Sequence, residues 1–157
     1  MIETPPQQAW RRPPAAVYKV LNPLLGLILR SPLHGLISKR LLLLEFTGRR
    51  SGQSYRLPIA YVRHGETLLL GTESRWKANL RGGARVSVIL GGRQREGRAI
   101  VIDDASGMAD ALAEMIRAMP QYAKIVGVRL DATGRPYPDD LERARQQGSV
   151  VIRIELA

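Results

Sequence analysis

The sequence contains no cysteine. Disulfides, thiolate nucleophiles, thiolate zinc sites and iron–sulfur clusters are therefore excluded. A chain without disulfides suits the cytosol, which is the expected compartment, although exported proteins also lack them. Histidine is nearly absent: His34 and His64 stand far apart, and neither has a ligand-type neighbour at helical spacing. Both are expected to be ordinary surface or half-buried residues, and no metal site is expected. Aromatic residues make up only 5% of the chain, with a single phenylalanine. Nucleic-acid surfaces of the base-stacking kind need more, so no nucleic-acid partner is expected. Long apolar runs are missing too. The uncharged run Val20 to Leu29 is too short for a bilayer, which needs ~20 residues. Arg11-Arg12 before it imitate the basic part of a signal peptide. However, no small-x-small cleavage site follows, and Arg30 ends the run abruptly.

What is present is positive charge on a globular composition. The 157 residues, 45% of them apolar, suit one domain with a real core. The net charge of +10 favours an anionic partner: nucleic acid, an acidic membrane surface or a polyanionic small molecule. Residues 1–14, rich in proline, glutamine and arginine, read as a flexible basic arm. Residues 15–157 read as a single domain opening with a helical segment, 15–39. Asn22-Pro23 interrupts that segment, and Ser31-Pro32 restarts it as a cap and first-turn proline. Two expectations stand for 11–40. The favoured one packs the helix on the core. The other lays it on the inner face of a membrane, with Arg11, Arg12, Arg30, Lys39 and Arg40 toward anionic headgroups.

The middle of the chain predicts strands at Leu41–Thr47, Tyr55–Val62, Thr67–Thr72, Arg85–Leu90 and Arg95–Ile102, separated by glycine-rich turns. Leu41 to Leu44 is continuously apolar, as a strand covered on both faces should be. Pro58 marks its strand as an edge or a bulge. Helices follow at Ala105–Met119, where the methionines are core filler, and at Asp139–Gln147, with a new segment Pro120–Val126 after the first. The alternating stretch Ser149–Leu156 closes the chain as a strand. The sum is an α+β fold: about six mostly antiparallel strands forming a small barrel with flanking helices.

Two segments carry chemistry. The turn Thr47-Gly48-Arg49-Arg50-Ser51-Gly52 presents adjacent guanidiniums, which are planar donors for phosphate or carboxylate. Downstream, Arg75-Trp76-Lys77-Ala78-Asn79-Leu80 places an indole, a cation and an amide on a short helix. Each has a plainer reading: a solvated hairpin tip, a core tryptophan, an amide satisfying nearby backbone. Asp103-Asp104 looks like a catalytic carboxylate pair but sits where a helix N-terminus wants negative charge, so a structural role is expected. Arg93, Arg95 and Arg98 form a basic stretch without interleaved aromatics.

The order Thr-Gly-Arg-Arg-Ser-Gly, then Leu57-Pro58-Ile59, the Gly65 turn, Trp76-x-x-Asn79-Leu80 and Val86-x-Val88 resembles the deazaflavin-dependent nitroreductase family. The similarity runs from about Leu41 to Leu90 and more loosely beyond. It implies a split β-barrel, FMN-binding split-barrel-like, in which coenzyme F420 delivers hydride to a quinone, nitroaromatic or enone. The resemblance assigns the coenzyme's phosphodiester and glutamate tail to Gly48, Arg49, Arg50, Ser51 and Gly52. It places Trp76 and Asn79 near the ring system, with Pro58 and Thr72 among the binding residues and Lys77 an added charge beside them. Tyr122 is the candidate catalytic residue, as proton donor; of the family's tyrosine cluster only it matches, since Met119 and Ile125 stand at the comparable positions. Other departures are the short stretch Gly71-Thr72-Glu73-Ser74-Arg75 and the turn's exit, Gln53-Ser54-Tyr55-Arg56. FMN in place of the deazaflavin and a non-catalytic cofactor-binding module remain the alternatives. The expected partner is a small-molecule electron acceptor, and a monomer or a homodimer is equally compatible.

Overall fold

The structure, a computed structural model, describes residues 41–157. The expectations for the arm 1–14, the helical segment 15–39 and membrane contact over 11–40 lie outside those residues. Among the described residues no helix is long and apolar enough to cross a membrane.

Seven strands form one sheet: β1 (Leu41–Thr47), β2 (Ser54–Ala60), β3 (Val62–His64), β4 (Thr67–Thr72), β5 (Ala84–Leu90), β6 (Arg93–Ile102) and β7 (Val150–Leu156). The order is β2-β1-β5-β6-β7-β4-β3. Every pairing is antiparallel. The last strand, β7, inserts between β6 and β4 and so joins the two halves of the chain. β2 touches β4 although β1, β5, β6 and β7 separate them in the sheet. The sheet is thus curled on itself into a split half-barrel.

The alternation of side chains sorts two cores. Inside the curl lie Leu42, Leu44 and Phe46 of β1, Leu68 and Leu70 of β4, Val86 and Val88 of β5, and Ile152 and Ile154 of β7. On the outer face Leu69, Ile102 and Val151 meet helix α1 (Ala105–Ala118). Met108, Leu112, Met115 and Ile116 repeat at helical spacing along α1, and all are buried there. Each such side chain removed from water contributes about 1.5–3 kcal/mol, and together they hold the helix to the sheet. The Asp104 carboxylate caps α1 by accepting from the Gly107 amide at 2.7 Å. Asp103 pairs with Arg81 at 2.6 Å. The acidic pair is therefore structural, as its position predicted.

Two short helices complete the outer layer: α2 (Tyr122–Val126) and α3 (Pro138–Gln146). Proline opens α3, where its missing amide costs nothing. The buried carboxylate of Asp140, on α3, accepts from the Arg129 amide and Nε, both at 2.8 Å, and from Arg143 at 2.7 Å. This bond set ties the loop before α3 to the helix itself.

One strand differs from expectation. The run Tyr55–Val62 is broken at Tyr61. Up to Ala60 the strand pairs with β1. Val62–His64 pairs with β4 instead, as a separate short strand. Pro58 lies in β2, which is an edge strand, where a residue without an amide proton is tolerated.

Candidate functional site

The hairpin between β1 and β2 is closed by its own backbone. The Gly48 amide donates to the Gln53 carbonyl at 2.8 Å, and the Gly52 amide to the Gly48 carbonyl at 2.9 Å. Gly52 has φ +67°, in the left-handed region that favours glycine. A β-carbon at Gly48 would lie 2.6 Å from both Ser51 Oγ and the Tyr55 ring, so that ring packs directly on the turn. Ser51 Oγ accepts from the Gln53 amide at 3.2 Å. What the turn leaves to solvent are the exposed side chains of Arg49 and Arg50, neither of which forms an ion pair among the described residues.

The second segment is a 3-10 helix, Arg75–Leu80, that leads from β4 back toward β5. It meets the hairpin directly. Asn79 Oδ1 accepts from the Arg49 amide at 3.0 Å, while Asn79 Nδ2 donates to the Trp76 carbonyl at 3.0 Å. Beneath this tie runs a row of rings. Phe46 stacks on Trp76 and on Tyr55, each at 5.5 Å between centroids. Trp76 packs on the inner core and stays half-buried. The core and cleft readings of this indole therefore overlap. Asn79 spends both ends of its amide inside the protein, holding the hairpin against the 3-10 helix.

The other sequence-derived residues fall elsewhere. Lys77 Nζ donates to the carbonyls of Gly148, at 2.7 Å, and Glu73, at 3.0 Å, bracing the helix against the start of β7. Desolvation lowers its pKa, with the charge of Arg81 adding to the effect. Pro58 sits mid-strand opposite Leu43, away from the hairpin tip.

Tyr122 and Thr72 line a cavity of about 330 Å³ on the helix side of the sheet. Its apolar wall is Met108, Leu112, Ile125 and Val126, and its polar edge includes Glu73, Ser74 and Ser149. Ser149 Oγ donates to Glu73 Oε1 at 3.1 Å. The Tyr122 hydroxyl rests against Gly71, where a β-carbon would come within 1.6 Å of it. Burial, reinforced by the nearby Glu73 charge, pushes the phenol up to about 12. It stays protonated, and hence a donor, throughout the neutral range. Tyr122 thus belongs to the outer core and Trp76 packs on the inner one. Thr72, Glu73 and Ser74 run from the cavity directly into the 3-10 helix.

Sequence reasoning missed the cavity walls. Gly71, inside a strand, was the available signal: a glycine there marks a close approach by another group. Among the described residues no cluster of histidine and carboxylates could hold a metal ion.

The donor set suits a phosphorylated, carboxylated redox coenzyme. Two guanidiniums without an ion pair among the described residues stand on a hydrogen-bonded turn, an aromatic row lies under it, and an apolar cavity with one protonated hydroxyl lies beyond the 3-10 helix. Comparison with known proteins agrees. The solved structure of an F420-H2 dependent reductase, FDR-A, is 15% identical over 74% of this chain and 95% of its own, with a TM-score of 0.50. The heme storage protein HutZ of Vibrio cholerae is 13% identical over 87% of this chain and 90% of its own, at a TM-score of 0.49. A pyridoxamine 5'-phosphate oxidase-like protein of Listeria innocua is 15% identical over 87% and 93%, at 0.47. At these identities only the split-barrel fold is shared, and the last two resemble it in outline alone. No curated protein matches the sequence at a significant level. The family model of F420H(2)-dependent quinone reductases matches residues 31–138. The chain is an oxidoreductase that uses coenzyme F420, and it belongs to the F420H(2)-dependent quinone reductase family.

Proposed function

We propose that the hairpin Gly48–Gly52 holds the coenzyme's phosphodiester and that the cavity beside Tyr122 receives the electron acceptor, a quinone-, nitroaromatic- or enone-like molecule. The observation that carries this is the continuity of the two regions: the cavity edge Thr72-Glu73-Ser74 runs straight into the helix that Asn79 ties to Arg49. When bound, the reduced coenzyme supplies a hydride. The chain supplies position and a proton.

Arg49 and Arg50 offer charge-assisted donors to the anionic tail, and Ser51 adds a hydroxyl. The apolar wall of Met108, Leu112, Ile125 and Val126 suits a flat, uncharged acceptor and keeps water from it. Tyr122 donates its proton to the acceptor oxygen, or to the carbon alpha to an enone carbonyl, as the hydride arrives. One hydride and one proton together complete a two-electron reduction. Solvent then returns the proton to the phenolate.

The test is turnover. Purified protein with reduced coenzyme F420 and a neutral benzoquinone should oxidise the coenzyme faster than the quinone does alone. Tight coenzyme binding without turnover on quinones, nitroaromatics or enones would leave a cofactor-binding module instead.

A further inference from the structure

The hairpin is not the end of the unpaired positive charge. Half of the arginines among the described residues are matched: Arg56 with Glu45, Arg63 and Arg95 with Glu66, Arg81 with Asp103, Arg135 with Asp110, Arg145 with Glu142, and Arg129 and Arg143 with Asp140. Arg49, Arg85 and Arg98 are exposed and form no ion pair among the described residues. Arg49 and Arg98 lie against one turn, Gly82-Gly83, and Arg85 follows it two residues along the chain.

The Arg49 guanidinium lies against Gly82, 3.5 Å from where a β-carbon would stand. The Arg98 guanidinium leans over Gly83 so closely that a β-carbon there would be 2.6 Å from it. Gly83 has φ +86°, in the left-handed region that favours glycine. Arg85 and Arg98 are direct register partners on β5 and β6. Like charges facing each other across a ladder oppose folding. Arg98 has a carboxylate within reach of its strand, since Glu155 is its register partner on β7, yet no ion pair joins them. Glu96, two residues along β6, is the other nearby acid, and it pairs in register with Ser87. The guanidinium turns from these acids toward the glycine turn that also flanks Arg49.

We propose that Arg85 and Arg98, over Gly83, form a second anion subsite that takes the glutamate carboxylates of the coenzyme's tail. The phosphodiester at Arg49 and Arg50 is the first contact, and Gly82-Gly83 is the bare backbone bridge to the second. This rests on the assignment of the hairpin to the phosphodiester. A bound carboxylate relieves the Arg85–Arg98 repulsion, and exposure makes the gain sensitive to salt.

The experiment compares two forms of the oxidised coenzyme, carrying one glutamate and carrying several, by titration calorimetry at low salt. The unaltered protein should bind the long-tailed form about fivefold more tightly. The Arg85→Gln/Arg98→Gln variant should lose that preference, keep its affinity for the one-glutamate form within about twofold, and melt no lower than the parent, because a repulsion has been removed. Arg98→Gln alone, the smaller change, should lose part of the preference. Equal affinity of the unaltered protein for both tails, or an undiminished preference in the double variant, overturns the subsite and leaves the hairpin assignment standing. Failure of the unaltered protein to bind either form overturns the hairpin assignment and the subsite with it.

Discussion

The backbone amide of Arg49 donates to the side-chain oxygen of Asn79 across thirty residues of sequence, at 3.0 Å. That bond ties the glycine-rich turn, already closed by its own backbone, to the 3-10 helix bearing Trp76. Asn79 is fixed in turn by donating to the Trp76 carbonyl. On the proposed assignment of the hairpin to the coenzyme's phosphodiester, this bond preorganises the turn: the ordering cost is met on folding, before any ligand arrives.

Replacing Asn79 with alanine should therefore weaken coenzyme binding through disorder of the turn. The loss in stability should be about 1 kcal/mol, the net worth of an ordinary hydrogen bond. Asn79→Asp keeps an acceptor for Arg49 but loses the donor to the Trp76 carbonyl and adds a negative charge beside the turn, so it should not recover the affinity. Calorimetry and thermal melts on both variants check this. An alanine variant with unchanged affinity would reduce Asn79 to a local brace.

Tyr122→Phe removes the proposed proton donor and leaves the ring in place. Turnover should fall about 100-fold, the lower end for general acid catalysis, with coenzyme affinity little changed. The raised phenol pKa carries a sign that can be measured. Burial favours the neutral form, so its stabilisation is present below 10 and is lost as pH rises toward about 12. The parent should lose stability over that alkaline window more steeply than Tyr122→Phe. Parallel melting curves across it would remove the phenol from the argument.

Gly71 and Tyr122 form a testable couple. A β-carbon at Gly71 would overlap the Tyr122 hydroxyl. Gly71→Ala should push the ring out of its seat, costing about 1–3 kcal/mol as an overpacked core does, and lowering turnover. Combined with Tyr122→Phe, whose nearest ring atom would be 2.9 Å away, part of that stability should return. A double-mutant cycle reads the coupling. Strict additivity of the two changes would mean the contact carries no weight.

Much of this was legible in the sequence, for identifiable reasons. The alternation in β5 and β7, the continuous apolar start of β1 and the glycine turns are local signals, and local physics fixed those elements. The hairpin and Trp76–Asn79 carried their own chemistry. What escaped was long-range. Nothing local says that β7 inserts between β6 and β4, or that the chain after Tyr61 pairs with β4 instead of β1. The sequence offers Asn79 both as a residue near the coenzyme ring and as an amide satisfying nearby backbone, and its bond to Arg49 depends on how the barrel curls. Lys77, an added charge beside the motif in the sequence, donates to carbonyls of Glu73 and Gly148, the latter more than seventy residues away and beyond any local signal.

Asp140 gives a prediction about the scaffold alone. Hydrogen bonds from the Arg129 side chain, then from its backbone amide, hold the carboxyl well below its ordinary 3.8. A depressed carboxylate stabilises the fold above its unfolded value and loses that contribution as pH falls below it. Asp140→Asn should lower the melting temperature at pH 7 and narrow the gap to the parent at about pH 2–3. A gap independent of pH would show that packing, not charge, holds the loop.

The central claim is that the paired guanidiniums of the hairpin grip coenzyme F420. Titration calorimetry of the parent and of Arg49→Ala/Arg50→Ala with oxidised coenzyme, and with FMN alongside, tests it most directly. Charge-assisted bonds contribute about 1.5–3 kcal/mol each, so the double variant should bind the coenzyme at least about tenfold more weakly, with an unchanged melting temperature. The parent should prefer the deazaflavin to FMN. Equal coenzyme affinity in parent and double variant would contradict the account.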